Sequence, residues 1–200
     1  MLFWIFVICG YLLGAIPFGL FIGKAKGIDI RTVGSGNIGA TNVQRALGWT
    51  SATISFLLDF AKGAAPVFIA MLLGMDKWQM AVIGVAVVVG HCWSVFLLFK
   101  GGKGISTTFA VIMALDWRIG LGGLVMWLII LLLYRYVSLA SIISAAMLPF
   151  AFYIVTFDLP LSGVVLLMSA ITILRHYENI KRLMAGNENK IGQKALPNAG

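Results

Sequence analysis

From Leu2 to Ile22 the chain carries no Lys, Arg, Asp or Glu. At 1.5 Å per residue, a helix of that length crosses a hydrocarbon core of about 30 Å. Comparable apolar runs recur over about 50–73, 79–98, 105–115, 119–134, 137–157 and 161–174. These runs are continuous rather than alternating in period two, which favours helices over a barrel. Only 11% of the residues are charged, whereas a soluble domain carries roughly a quarter. The expected fold is an all-α integral membrane protein, a polytopic bundle of about seven transmembrane helices. Segment 105–115 is too short to cross unless its end is counted from the glycines that precede it.

The net charge of +8 would suggest nucleic acid in a soluble protein, but here the bases must be assigned to a side of the bilayer. Only Lys77 and Arg118 fall outside, so the N-terminus is expected out and the C-terminus in. No basic residue precedes Lys24 and the first apolar run is too long for a signal peptide. Cys9 and Cys92 both lie in apolar segments, so neither a disulfide nor a zinc site is expected. The transmembrane domain is expected over 1–184. A polar tail, 185–200, is expected to be disordered. Asp59 and Lys62, deep in the second span, read as a structural ion pair at i, i+3. A continuous helix would set Asp59 about 21 Å from Arg45, too far to share a ligand.

Three polar islands interrupt the apolar chain, all on the inner side. The first, Gly34-Ser35-Gly36-Asn37-Ile38-Gly39-Ala40-Thr41-Asn42, precedes a predicted helix over 40–47 that carries Arg45 on the face of Thr41. Glycines admit a ligand to the backbone, and a helix N-terminus favours an anion such as phosphate. The spacing G-x-G-x-x-G matches a dinucleotide fingerprint, but the preceding segment is a membrane span rather than a strand. The second island is Phe99-Lys100-Gly101-Gly102-Lys103-Gly104; Gly104 after Lys103 departs from a P-loop. The third, Arg175-His176-Tyr177-Glu178-Asn179-Ile180, sets Arg175, His176 and Asn179 on one helical face. Ser138 and Ser141 share a face of the sixth span.

Convergence of the islands on one side indicates a phosphate-binding site at the membrane surface. An enzyme joining a greasy substrate to a soluble phosphorylated one fits this placement. A transporter or flippase of a phosphorylated lipid or small anion could use the same basic cavity, though no internal repeat is evident. A structural scaffold would not require three islands on one side.

Together, Gly34–Asn42, Phe99–Gly104, Val137-Ser138-Leu139-Ala140-Ser141 and Arg175–Ile180 resemble the PlsY family of bacterial membrane glycerol-3-phosphate acyltransferases, from the first span to about Arg182. The resemblance implies transfer of a fatty acyl group from acyl phosphate to the 1-hydroxyl of sn-glycerol 3-phosphate. Products would be lysophosphatidic acid and inorganic phosphate, at the first step of phospholipid synthesis in the bacterial inner membrane, with the site facing the cytoplasm. The soluble-type motif H-x4-D is absent, since Phe96 and Lys181 stand five residues after His91 and His176. Carried over residue by residue, the Ser35, Gly36, Asn37, Gly39, Thr41 and Asn42 loop and the Gly101, Gly102, Lys103 and Gly104 loop would cradle the donor phosphate. Arg45 and Lys103, with Arg175, would hold glycerol 3-phosphate. Ser141, His176 and Asn179 would position its glycerol. Catalytic roles fall to His176, Asn179, Ser35 and Lys103, with either His176 or the departing phosphate taking the proton. No cofactor, metal or nucleic acid is implied. Membrane lipid and the enzyme that makes acyl phosphate are the expected partners.

Overall fold

A computed structural model of the protein describes residues 1–192. The described residues form ten α-helices and no strand. The first apolar run is two helices, α1 (Leu2–Ala15) and α2 (Phe18–Ala25), broken at Ile16–Pro17. Proline lacks an N–H and pushes the residue before it out of helical conformation, and Ile16 is extended (ψ 119°). The carbonyls freed by the break are satisfied largely from distant parts of the chain, with Phe18 N also donating to Ile16 O at 3.2 Å. Ser94 Oγ donates to Ala15 O at 2.6 Å and Lys62 Nζ to Ile16 O at 2.7 Å.

Beyond the first loop come α3 (Ala40–Leu47) and α4 (Trp49–Leu72). Gly48 between them has φ +84°, a conformation costly for any residue with a Cβ, and there the chain doubles back so that α3 packs against α4. Helices α5 (Lys77–Cys92), α6 (Ile105–Leu115), α7 (Trp117–Tyr134), α8 (Val137–Thr156), α9 (Leu159–Leu174) and α10 (Tyr177–Met184) complete the bundle. Every apolar run is thus helical. Among the described residues, five spans are long and apolar enough to cross a membrane, or six if α9 and α10, bent by 60°, are counted as one; α6 is a shorter apolar helix.

The core is centred on α5, through Met80, Ile83 and Val88, against Val111 and Ile112 of α6 and Val165 and Met168 of α9. On the opposite side α1 approaches α5 closely. A Cβ on Gly14 would run into the Val87 carbonyl, so only glycine allows that contact.

The two ends of the bundle differ in how helices begin. At one end α5, α7 and α9 each open under an aspartate. Asp76 accepts from Gln79 N (2.8 Å), Asp116 from Arg118 N (3.0 Å) and Asp158 from Leu161 N (2.9 Å). At the other end α3, α6 and α8 open with no side-chain cap.

Candidate active site

The uncapped end encloses a cavity of about 330 Å³. The opening residues of α3 (Ala40, Thr41), α6 (Ile105, Ser106) and α8 (Val137, Ser138) all line it. First-turn amides have no partner inside their own helix and concentrate the positive end of its dipole. Three such ends bordering one space suit it to an anion, although the carboxylates of Asp59 and Glu188 line it as well.

The first island shapes one wall by bracing itself. Asn42, fully buried, accepts from Ser35 N through Oδ1 (2.9 Å) and donates through Nδ2 to Ile30 O (2.7 Å). Asn37 Oδ1 accepts from Gly39 N at 2.8 Å. Ser35, Asn37, Gly39, Thr41 and Asn42 line the cavity, as does Arg45 one turn along α3. Arg45 is half-buried, which lowers its pKa, and makes no ion pair among the described residues.

The second island is braced from outside. Gly101 N donates to Cys92 O (3.2 Å) and Gly102 N to His91 O (2.9 Å). Arg175 donates to the carbonyls of Gly101 (2.9 Å) and Gly102 (3.0 Å). The two glycine amides are therefore occupied, and Lys103, Gly104 and the α6 N-terminus face the cavity instead. Gly36, Gly101, Gly102 and Arg175 stand behind the lining.

At the 60° corner between α9 and α10, His176 and Asn179 are both buried and line the cavity. His176 Nδ1 lies 2.8 Å from Thr172 O. A carbonyl only accepts, so Nδ1 carries the proton and Nε2 is left with its lone pair. Burial pulls the pKa of this imidazole down to about 4. It is neutral at pH 7. Lys103 Nζ donates to Asn179 Oδ1. Burial, with Arg182 nearby, pulls the pKa of Lys103 down to about 8, so its ammonium remains protonated at neutral pH and readily gains from an anionic partner. Ser141 accepts from Trp127 Nε1 at 3.1 Å and donates to Val137 O at 2.8 Å.

Sequence reasoning misses three features. The tail expected to be disordered is ordered through Gly192; the rest of that segment, 193–200, lies outside the described residues. Glu188 accepts from Ser138 Oγ (2.8 Å), Asn179 Nδ2 (2.7 Å) and Arg182 Nε (2.7 Å). Burial alone would raise its pKa, but these donors hold it below the ordinary value. The tail segment beyond it is tied down by Ile191 N donating to Arg135 O at 2.8 Å. Second, the chain reversal at Gly48 brings Asp59 into the same cavity as Arg45, where a continuous helix would have kept them apart. Third, His91 also lines the cavity, 3.8 Å from Asp59, which pairs with Lys62 at 2.7 Å. Its Nδ1 has no hydrogen-bond partner among the described residues.

Comparison with known proteins bears directly on this site. The glycerol-3-phosphate acyltransferase family model matches residues 4–186. A glycerol-3-phosphate acyltransferase of Rubrobacter xylanophilus is 43% identical over 189 residues, covering 94% of this chain and 95% of the relative. Its counterpart from Aquifex aeolicus is 45% identical, covering 92% and 96%. The chain belongs to the glycerol-3-phosphate acyltransferase family. The crystal structure of PlsY, an integral membrane glycerol 3-phosphate acyltransferase, in its glycerol 3-phosphate form superposes with a TM-score of 0.92 at 42% identity, covering 96% of each chain. Its lysophosphatidic acid form gives 0.90 at 41%. The cavity is thus the candidate active site of a membrane acyltransferase acting on glycerol 3-phosphate.

Proposed function

We propose that this acyltransferase moves a fatty acyl group from acyl phosphate to the 1-hydroxyl of sn-glycerol 3-phosphate. The observation that carries the reading is the meeting of three uncapped helix N-termini with Arg45 and Lys103 in one cavity. Two phosphates must be held together in this reaction, and such a cavity supplies positive ends for both. Arg45 and Lys103 hold the phosphate of the acceptor. The α3 and α6 N-termini, with Ser35, hold that of the donor and stabilise charge developing at the acyl carbonyl. Ser141, His176 and Asn179 orient the glycerol.

The acceptor hydroxyl oxygen bonds to the acyl carbon while the bond from that carbon to the phosphate oxygen breaks. The proton of the hydroxyl is first drawn toward Nε2 of His176. An imidazole whose conjugate acid has a pKa of about 4 is a weak resting place for a proton at neutral pH. The departing phosphate is the better final acceptor, and His176 serves to aim the hydroxyl. Products are lysophosphatidic acid and inorganic phosphate, so the reaction stands at the entry to phospholipid synthesis. The excess of Lys and Arg at the cavity end supports a cytoplasmic site in the bacterial inner membrane. The enzyme that makes acyl phosphate is a partner in the sense of supplying the donor.

The test is direct. Purified protein is given palmitoyl phosphate and glycerol 3-phosphate, with phosphate release and lysophosphatidic acid followed together, and palmitoyl-CoA as the parallel donor. Product from palmitoyl phosphate alone is expected. Turnover with palmitoyl-CoA alone overturns the donor assignment.

A further inference from the structure

Arg175 stands in the third island, beside His176, yet its side chain turns away from the cavity. Its Nε and Nη2 donate to the carbonyls of Gly102 and Gly101 at 3.0 and 2.9 Å. The guanidinium lies over the Trp93 ring, 5.5 Å from its centroid. A planar fork stacked on an indole and bonded to two consecutive carbonyls has little freedom left. The loop it grips is under load. Leu98 and Phe99, which lead into it, are both left-handed (φ 51° and 61°), a conformation that costs an apolar side chain on the order of 1 kcal/mol or more. The floor beneath is closed, because a Cβ on Gly102 would enter the His91 ring.

We infer that Arg175 is a positioning residue that locks the Lys103 loop to the corner carrying His176 and Asn179. The two halves of the site are joined twice. Inside the cavity Lys103 reaches Asn179; behind it Arg175, one residue before His176, holds the two residues before Lys103. Neither junction fixes the other half alone, since the Lys103 side chain is flexible. The Arg175 fork sets where the Lys103 backbone begins, and so where its ammonium meets the acceptor phosphate. This inference rests on the reading of Lys103 as a phosphate ligand.

The experiment uses full-length protein in detergent, with Arg175→Gln and Arg175→Lys made alone and combined with Lys103→Ala. Kinetics against glycerol 3-phosphate separate KM from kcat. In the wild-type background Arg175→Gln is expected to lower kcat/KM roughly 10- to 100-fold with a raised KM, and in the Lys103→Ala background by less than about threefold. Arg175→Lys keeps the charge but loses the two-carbonyl fork, and is expected to recover little. Equal losses in both backgrounds, or wild-type kinetics in Arg175→Lys, would overturn the inference. Arg175→Lys decides the matter if Arg175→Gln does not fold or Lys103→Ala is too slow to assay. Wild-type protein inactive with acyl phosphate would sink the donor reading alone, because the cycle can be run with whichever donor it accepts.

Discussion

The far end of the bundle and the cavity end solve the same problem in opposite ways. Helices α5, α7 and α9 place an aspartate over their first amides. Helices α3, α6 and α8 leave theirs open. A cap is worth about 1 kcal/mol to a helix, so the cavity end forgoes stability three times over. What it keeps, on the proposed reading, is positive potential where a substrate's phosphate rather than a capping carboxylate meets the α3 and α6 openings; at α8 the Glu188 carboxylate already accepts from Ser138 Oγ. The contrast among these six helices points to the ligand's place, although α1, α2, α4 and α10 also open without a side-chain cap.

The comparison can be broken in order of effect. Removing one of the two cations proposed to hold the acceptor phosphate, Lys103→Ala, is expected to lower kcat/KM for glycerol 3-phosphate by about 1000-fold, read as product formed. Folding should be unaffected by circular dichroism. Gly102→Ala comes next. Its methyl enters the His91 ring, displaces the loop behind Lys103, and is expected to cost about 100-fold in kcat/KM, in line with the sensitivity of sites to misplacement of about 1 Å.

Placing a carboxylate where one is withheld is a sharper trial. Gly39 caps α3 with φ −77° and ψ 162°, a geometry suited to aspartate. Gly39→Asp brings a Cβ to 3.1 Å from Asn37 Oδ1, which offsets the gain of a cap, so thermal stability is expected to change little while kcat/KM falls roughly tenfold. Activity unchanged by that substitution would argue that the open N-terminus of α3 binds nothing. At the far end, Asp158→Ala should show the reverse, with about 1 kcal/mol lost in stability and kcat within about twofold of wild type.

Titration supplies the mildest test. In its proposed role Lys103 binds phosphate as the ammonium, and its pKa in the free protein is pulled to about 8. The proton is lost as pH rises through that value, so KM for glycerol 3-phosphate should climb above pH 8, by up to about tenfold per unit. His176 is already neutral above about 4, so an acid limb in kcat/KM near pH 6 belongs to the substrate phosphate, which titrates at about 6, and should persist in His176→Ala. A limb there that His176→Ala abolishes would assign the proton-accepting role to His176 after all.

Much of the frame is legible in sequence because it depends on local physics. Apolar run length gives the helices, and the small-residue loop gives α3 over Ala40–Leu47 with Arg45 one turn in. What stays hidden depends on which distant backbone meets which loop. The glycines at 101 and 102 suggest free amides, but the carbonyls of His91 and Cys92 take them. Gly48 reverses the chain and carries Asp59 to the cavity, which spacing along a straight helix could not anticipate. Glu188 sits in a polar tail whose composition signals disorder, yet three donors fixed by the fold hold it. Arg175 and His176 are neighbours in sequence with opposite directions in space, a distinction that helical periodicity loses at a 60° corner.

The break in the first span carries a consequence for biogenesis. Synthesis delivers α1 and α2 to the bilayer before Lys62 and Ser94 exist, so the carbonyls of Ile16 and Ala15 enter without their final partners. Unsatisfied backbone in hydrocarbon is costly. Pro17 sets the break from the start, so the nascent segment must rely on water or on local bonds such as Phe18 N to Ile16 O (3.2 Å) until α4 and then the turn after α5 arrive. The kink belongs to the first span's own sequence; its long-range partners are acquired late.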